Sequence, residues 1–217
     1  MTRVRWMTSF GLMVAIAMSA SGTPARAQDE EAPKSIAIGS DVPMNTVAMK
    51  NVDSKTVTLA DAAGKKGTLV LFICNHCPWV KRWQSRIATI GNAARQRGIG
   101  VVAINSNDPE AYPEDSFDGM KTRAKAVGYK FPYVVDETSD LARAFGASKT
   151  PEAFLFDASG KLVYHGAIDD NAQDAKAVEH RWLQDAVVAV QGSKPVAVAE
   201  TKAMGCGIKA REKRAAD

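Results

Sequence analysis

Hydrophobic and polar positions along the 217-residue chain switch repeatedly between a strand period and a helix period. Thr46-Val-Ala-Met-Lys-Asn51 and Lys55-Thr-Val-Thr-Leu59 flank Asp53-Ser54 and predict a short hairpin. Thr68-Leu-Val-Leu-Phe-Ile73 is a continuous apolar run of strand length after a Gly-rich turn, which predicts a strand covered on both faces. Val80, Trp83, Ile87, Ile90 and Ala94 then recur at spacings of three and four, the stripe of an amphipathic helix. Arg95 and Arg97 fall in its last turn, and Gly98 suits a left-handed cap. Val101-Val-Ala-Ile104 predicts a second buried strand, and residues 105–115 a loop.

Further on, Phe117, Met120, Ala124 and Val127 mark a helix stopped by Gly128. Tyr133-Val-Val135 predicts a strand, and Ser139 to Phe145 a short helix ending at Gly146. Glu152-Ala-Phe-Leu-Phe156 and residues 162–168 flank the turn at 157–161, an antiparallel pair. A final helix is expected from Asp174 to Val190, with Val178, Trp182, Ala186 and Ala189 on one side. Past Gly192 comes a loop carrying Cys206 and a charged tail. There is no internal repeat. Strand–helix alternation followed by a hairpin and a last helix predicts an α/β fold, a mixed central sheet flanked by helices.

The chain's start changes the charge balance. Arg3 and Arg5, an apolar run from Phe10 to about Ala20, and Ala25-Arg26-Ala27 form the pattern of a cleaved secretory leader spanning residues 1–27. The run is too short for a bilayer core of roughly 30 Å, so no stable membrane span is expected after cleavage. An uncleaved anchor is the competing reading. Residues 28–38 are expected to be a disordered linker, 39–192 the folded domain, and 193–217 a C-terminal extension. The whole chain has 28 Lys+Arg against 24 Asp+Glu, and loss of Arg3, Arg5 and Arg26 leaves it nearly neutral. That gives no electrostatic case for a nucleic-acid partner.

Chemistry concentrates at Cys74-Asn75-His76-Cys77. Three cysteines are too few for a disulfide framework, and a C-x-x-C in an exported chain points to redox use. A thiol at a helix start meets unpaired N–H groups and the positive end of the helix dipole, which favour thiolate. The order of strand, dithiol and helix assigns Cys74 as the attacking and Cys77 as the resolving thiol. His76, with Asn75, is expected to tune the redox balance by placing positive charge or a hydrogen bond at Cys74. Pro78 suits a first helical turn. Thr150-Pro151, entering a strand, is a candidate substrate-binding edge, and from local sequence Pro151 fits either a cis or a trans bond. Cys206 is a candidate third redox thiol or an unpaired tail cysteine. A metal site from Cys74, His76, Cys77 and His165 is disfavoured, because adjacent His76 and Cys77 do not converge easily on one ion. No metal and no cofactor are expected. Asp169-Asp170 reads as a solvated loop, and Trp79 and Trp83 as core or rim of the site.

The chain resembles the redoxin, peroxiredoxin-like branch of the thioredoxin superfamily, which includes thiol-specific antioxidant proteins and periplasmic thioredoxin-like proteins. The matching segments are Gly39-Ser-Asp-Val-Pro43, Thr58-Leu-Ala-Asp61, Gly67 to Cys74, Thr150 to Asp157 and Gly160 to Asp169. A subgroup is marked by Cys74-Asn-His-Cys-Pro-Trp-Val-Lys81, Ile104-Asn-Ser-Asn-Asp108 and Gly205-Cys-Gly-Ile-Lys209. The resemblance implies a thioredoxin fold and a cis Pro151 facing the dithiol. It also implies a periplasmic thiol–disulfide oxidoreductase acting on protein thiols and disulfides with an electron donor or acceptor protein. The alternatives are a thiol peroxidase and, less favoured, a metal-handling protein. Two departures stand out. Peroxiredoxins carry Pro and Thr or Ser seven and three residues before the peroxidatic cysteine. Those positions are Gly67 and Leu71 before Cys74, and Val70 and Cys74 before Cys77. Thioredoxin's buried acid in the preceding strand also has no counterpart in 68–73.

Overall fold

The structure is a computed structural model that describes Met1, Thr2 and residues 34–212. The rest of the expected leader, most of the linker and the last five residues lie outside the described residues.

The hairpin forms as β1 (Met49–Asn51) and β2 (Thr56–Val57), paired antiparallel. β3 (Gly67–Phe72) and β4 (Ile99–Asn105) are buried along their whole lengths. The helix α1 (Pro78–Gln96) crosses between them. Its boundaries follow from the residues named above: Pro78 costs nothing at N1, and Gly98 takes a φ of +91° just past the end. α2 (Phe117–Val127) starts with the Ser116 hydroxyl accepting from Gly119 N–H and stops at left-handed Gly128. β5 (Tyr133–Val135), α3 (Asp140–Phe145), β6 (Lys149–Thr150), β7 (Glu152–Asp157) and β8 (Leu162–Gly166) follow.

The strands run in the order β2-β1-β5-β4 and β3-β7-β8. The two sets join where Lys66 N–H donates to Gly98 O and Ile73 N–H to Ile104 O, which sets β3 parallel to β4. β5 is parallel to β4, while β7 is antiparallel to both β3 and β8. Because side chains alternate along a strand, the sheet has two apolar faces. Leu69, Leu71, Val101, Ala103, Ala153 and Leu155 pack with Trp83, Ile87, Met120, Leu183 and Val187, the face covered by α1, α2 and the last helix, Trp182–Gln191. Val70, Phe72, Val102, Ile104, Phe154 and Phe156 face Leu141, Ala142 and Phe145 of α3. This double cover explains why β3 reads as unbroken apolar sequence.

Four expectations are corrected. The last helix is not one piece: a single 3₁₀ turn at Ala175–Ala177 is followed by α4 (Trp182–Gln191). Val178 is extended, and Asp170 accepts from the backbone N–H of Glu179 and His180, so this carboxylate replaces helical partners. Asp169 is buried rather than solvated. Trp83 Nε1 donates to its Oδ1 at 2.7 Å, and Arg86 pairs with its Oδ2 at 2.5 Å. Residues 35–38, expected within the disordered linker, are tied down: Ile36 N–H donates to Phe145 O and Ser35 Oγ to Gly146 O, both at 3.1 Å. Finally, the C-terminal extension contains a strand, β9 (Cys206–Gly207), paired antiparallel with β6. Among the described residues no helix is long and apolar enough to cross a membrane.

Candidate functional site

The dithiol lies between the end of β3 and the start of α1. The helix begins at Pro78, so its N-cap residue is Cys77, not Cys74. This corrects the expected placement by one turn of chain. The carbonyl of Cys77 accepts from Lys81 N–H, while its side chain makes no capping hydrogen bond to the helix's unpaired donors. Hydrogen bonding from Cys74 holds the Cys77 thiol down to about 4, with Cys206 adding to it against the opposing effect of burial. Cys74 is pushed up by the same contact with Cys77, by burial and by the Asp115 carboxylate; the Thr150 hydroxyl and Cys77 N–H pull the other way. The shifts thus favour ionisation at Cys77 over Cys74, against the expected order, although the Cys77 thiol also donates to Thr150 O. The expected exposure of the attacking thiol is also absent: Cys74 is 1 % and Cys77 0 % exposed.

Thr150 touches both sulfurs. Its hydroxyl lies 3.2 Å from Cys74 Sγ and its carbonyl 3.2 Å from Cys77 Sγ. The Thr150–Pro151 peptide bond is cis, as the resemblance implied. The backbone edge at Thr150, expected to be free for a substrate strand, is occupied by the chain itself: Thr150 pairs with Cys206, and Lys149 with Gly207. Cys206 Sγ sits 2.9 Å from Cys77 Sγ. The third cysteine therefore belongs to the site.

Asn75 and His76 are held by a carboxylate absent from the sequence-derived set. Buried Asp115 Oδ1 accepts from the backbone N–H of Asn75 at 2.5 Å and of His76 at 3.2 Å. Its Oδ2 meets His76 Nδ1 at 2.5 Å and accepts from Asn107 Nδ2 at 2.9 Å. The His76 ring stacks on Tyr112 with centroids 4.0 Å apart. Its ring thus engages Asp115 rather than bonding the Cys74 thiolate, although Cys74, His76 and Asp115 offer atoms all within 4.8 Å of one another. Those three side chains can face one ion, whereas His165 lies elsewhere. Asn75 Nδ2 donates to Glu114 O, Tyr133 OH to Asn75 Oδ1, and Arg123 to Asn75 O. The one sequence signal for Asp115 was the polar run Asn105–Asp115 after a buried strand, a run otherwise without reason to be ordered.

A second buried carboxylate shapes the edge. Glu152 Oε2 accepts from the N–H groups of Ser148 and Lys149 at 2.8 Å each, and its Oε1 meets His165 Nε2 at 2.6 Å. Its signal was a lone acid heading an apolar strand. His165, expected only to pack, stacks on Phe154 and positions Glu152. Trp83 is fully buried, and Trp79 stacks on it at 5.8 Å.

The chain is similar to thiol-disulfide oxidoreductase ResA of Bacillus subtilis, with 26% identity over 130 residues, 60% of this chain and 67% of that protein. ResA of Halalkalibacterium halodurans is 24% identical over 132 residues, 61% of this chain and 70% of that protein. Among solved structures, a hypothetical protein of Sinorhizobium meliloti has 36% identity and a TM-score of 0.76, covering 82% of this chain and 97% of that one. An uncharacterized conserved protein of Geobacillus kaustophilus has 38% identity and a TM-score of 0.76, with 82% and 94% covered. The AhpC/TSA family matches residues 38–165, from the segment before the hairpin to β8, and with this fold and these thiols the chain belongs to that family within the thioredoxin superfamily.

Proposed function

We propose that this protein is an extracytoplasmic thiol–disulfide oxidoreductase working through Cys77 and Cys74, with Cys77 as the attacking thiol. The observation that carries the reading is the position of Cys77 at the N-cap of α1 with Cys206 Sγ 2.9 Å from its sulfur, where the neighbouring thiols hold its own thiol down. In the forward direction the Cys77 thiolate attacks one sulfur of a substrate disulfide. The other substrate sulfur leaves with the electron pair and takes up a proton. Cys74 then loses its proton and attacks Cys77 Sγ, which expels the second substrate thiolate and closes the Cys74–Cys77 disulfide. The Thr150 hydroxyl, 3.2 Å from Cys74 Sγ, donates to the forming thiolate. Run backwards, the same steps donate a disulfide to a substrate dithiol.

Stabilising the reduced pair through one low thiol moves the potential toward oxidising values. His76 and Asn75 act here by fixing the loop and balancing Asp115. Thr150 and Pro151 form the substrate edge, which pairs with β9 in this structure and opens to a substrate strand when β9 withdraws. The partners are protein thiols and disulfides together with a protein electron donor or acceptor. The basic, apolar and small-x-small order of residues 1–27 supports export, with a mature chain starting at Gln28.

The test is exchange with insulin and with glutathione disulfide by the mature chain. Turnover lost in Cys77→Ser supports the reading. No exchange by the wild-type chain with either substrate removes it.

A further inference from the structure

The C-terminal extension lies across the dithiol as a docked strap. His165 N–H donates to Ala199 O, and Thr201 N–H returns to His165 O, both at 2.9 Å. Thr201 Oγ1 accepts from Ala167 N–H and meets Tyr164 OH. Beyond Cys206, Ile208 N–H donates to Ser148 O, Lys209 N–H to Asn107 Oδ1, and Arg211 N–H to Ser139 Oγ. The strap is therefore anchored on both sides of Cys206, by β8 before it and by the β4–α3 side after it.

Two glycines make the contact possible. A Cβ on Gly205 would lie 2.0 Å from Thr150 O and 3.2 Å from Pro151 N. A Cβ on Gly166 would lie 2.2 Å from Thr201 Oγ1, and its φ of +140° disfavours any side chain. Backbone meets backbone at both crossings, which fixes the register Thr150–Cys206. Strand addition at such an edge is how an extended peptide is recognised. Here the added strand carries a cysteine whose sulfur is 2.9 Å from Cys77 Sγ, against a disulfide bond length of about 2.0 Å.

We propose that the strap is an internal substrate: Cys206 exchanges with the Cys74–Cys77 disulfide, so that the oxidised protein also holds a Cys77–Cys206 disulfide. This rests on the dithiol reading above. The Cys206 thiolate attacks Cys77 Sγ, the Cys77–Cys206 bond forms, and the Cys74–Cys77 bond breaks. Its electron pair leaves on Cys74 Sγ, which takes up the proton that Cys206 gave to solvent. No external oxidant or reductant is consumed. Thr150 Oγ1, facing Cys74, donates to the leaving sulfur.

The charges favour this order. In the reduced protein Cys206 is pushed up to about 11 by burial, then by hydrogen bonding and charge from Cys77, while Lys209 and Lys149 oppose. Once Cys77 is in a disulfide its charge is gone, leaving Cys206 with burial and two cations. Oxidation of the dithiol thus readies the third thiol. The exchange carries the oxidising equivalent from two buried sulfurs to a partly exposed one.

The experiment equilibrates the mature chain in glutathione buffers of several GSH:GSSG ratios. Acid quench, N-ethylmaleimide, trypsin and mass spectrometry then follow. Cys74 and Cys77 share the peptide 67–81, and Cys206 lies in 203–209, so the two disulfides have distinct masses. The expected result is both species, in a proportion that does not change with the GSH:GSSG ratio, because their interconversion moves no net electrons. Cys74→Ser should shift the protein to the cross-linked species, and Cys77→Ser should abolish it. Gly205→Val, which pushes the strap off Thr150, should lower the cross-link several-fold while Cys74–Cys77 still closes. If Cys74–Cys77 forms and Cys206 is found only free or glutathionylated, the internal-substrate proposal is overturned and the dithiol reading stands. If neither protein disulfide forms, both fall.

Discussion

The Asp115 carboxylate meets the His76 ring at 2.5 Å, Oδ2 to Nδ1, and the same carboxylate is among the charges that push the Cys74 thiol up. His76 therefore bears on the dithiol through Asp115 instead of by a bond to sulfur. The His76 ring bonds the carboxylate and engages part of its charge; without that ring, Asp115 stands more fully against any negative charge on the Cys74–Cys77 pair.

Opposite shifts are expected from the two partners. His76→Ala leaves Asp115 less balanced, destabilises the reduced pair and should lower the reduction potential. Asp115→Asn removes the charge and should raise it. One pKa unit on a thiol corresponds to about 1.4 kcal/mol, or about 30 mV for this two-electron couple. Glutathione equilibration reads both variants, and shifts of the same sign would refute the electrostatic link. Asp115→Asn should also cost about 1.5–3 kcal/mol in urea unfolding, since buried N–H donors lose a charged acceptor.

The pH dependence follows from one low and one high thiol. Between the Cys77 value of about 4 and the alkaline range, the reduced pair carries one proton, on Cys74. Reduction then takes up two electrons and one proton, so the potential falls as pH rises by about 30 mV per unit, against about 59 mV for two protons. Measurement from about pH 5 to 7.5 tests this. A slope near 59 mV would mean that both thiols are protonated and that Cys77 is not the thiolate.

Much of this was legible in the chain. The apolar stretch 68–73 and the stripe Val80–Ala94 follow from periodicity, because each side chain's burial is set by its own position on strand or helix. Asp115 was not legible. It acts on Asn75 and His76 from forty residues away through a loop without periodic pattern. Cys206 was visible as a thiol, but its pairing with Thr150 depends on two crossings where glycine matters only against a distant backbone. The proposed exchange of roles between Cys74 and Cys77 rests on a helix start that a Pro at N1 allows but does not fix relative to the cysteines.

Sole-cysteine variants separate attack from resolution. Cys77→Ser should reduce insulin turnover to the uncatalysed background. Cys74→Ser combined with Cys206→Ser leaves Cys77 as the only thiol, and it should accumulate mixed disulfides with substrate on non-reducing gels. If mixed disulfides instead gather on Cys74 in the Cys77→Ser chain at wild-type rate, the attacking role returns to Cys74.

Peroxide chemistry is expected to be slow. A peroxiredoxin pocket holds the peroxide with a hydroxyl and other donors so that the attacked oxygen lies in line with the thiolate. Three residues before Cys77 that place is taken by Cys74, a weak donor, and the group facing Cys77 from Thr150 is a carbonyl, which accepts only. The Thr150 hydroxyl faces Cys74, whose thiol is pushed up. Leu71, at the corresponding place before Cys74, is fully buried in the sheet. Reduced protein should therefore react with hydrogen peroxide no faster than a free thiolate and more slowly than with protein disulfides. Stopped-flow fluorescence of Trp79 and Trp83, on the helix that Cys77 caps, follows both reactions. Faster oxidation by peroxide than by a disulfide substrate would make the protein a peroxidase, and would require a donor for the peroxide oxygen that the present geometry does not supply at Cys77.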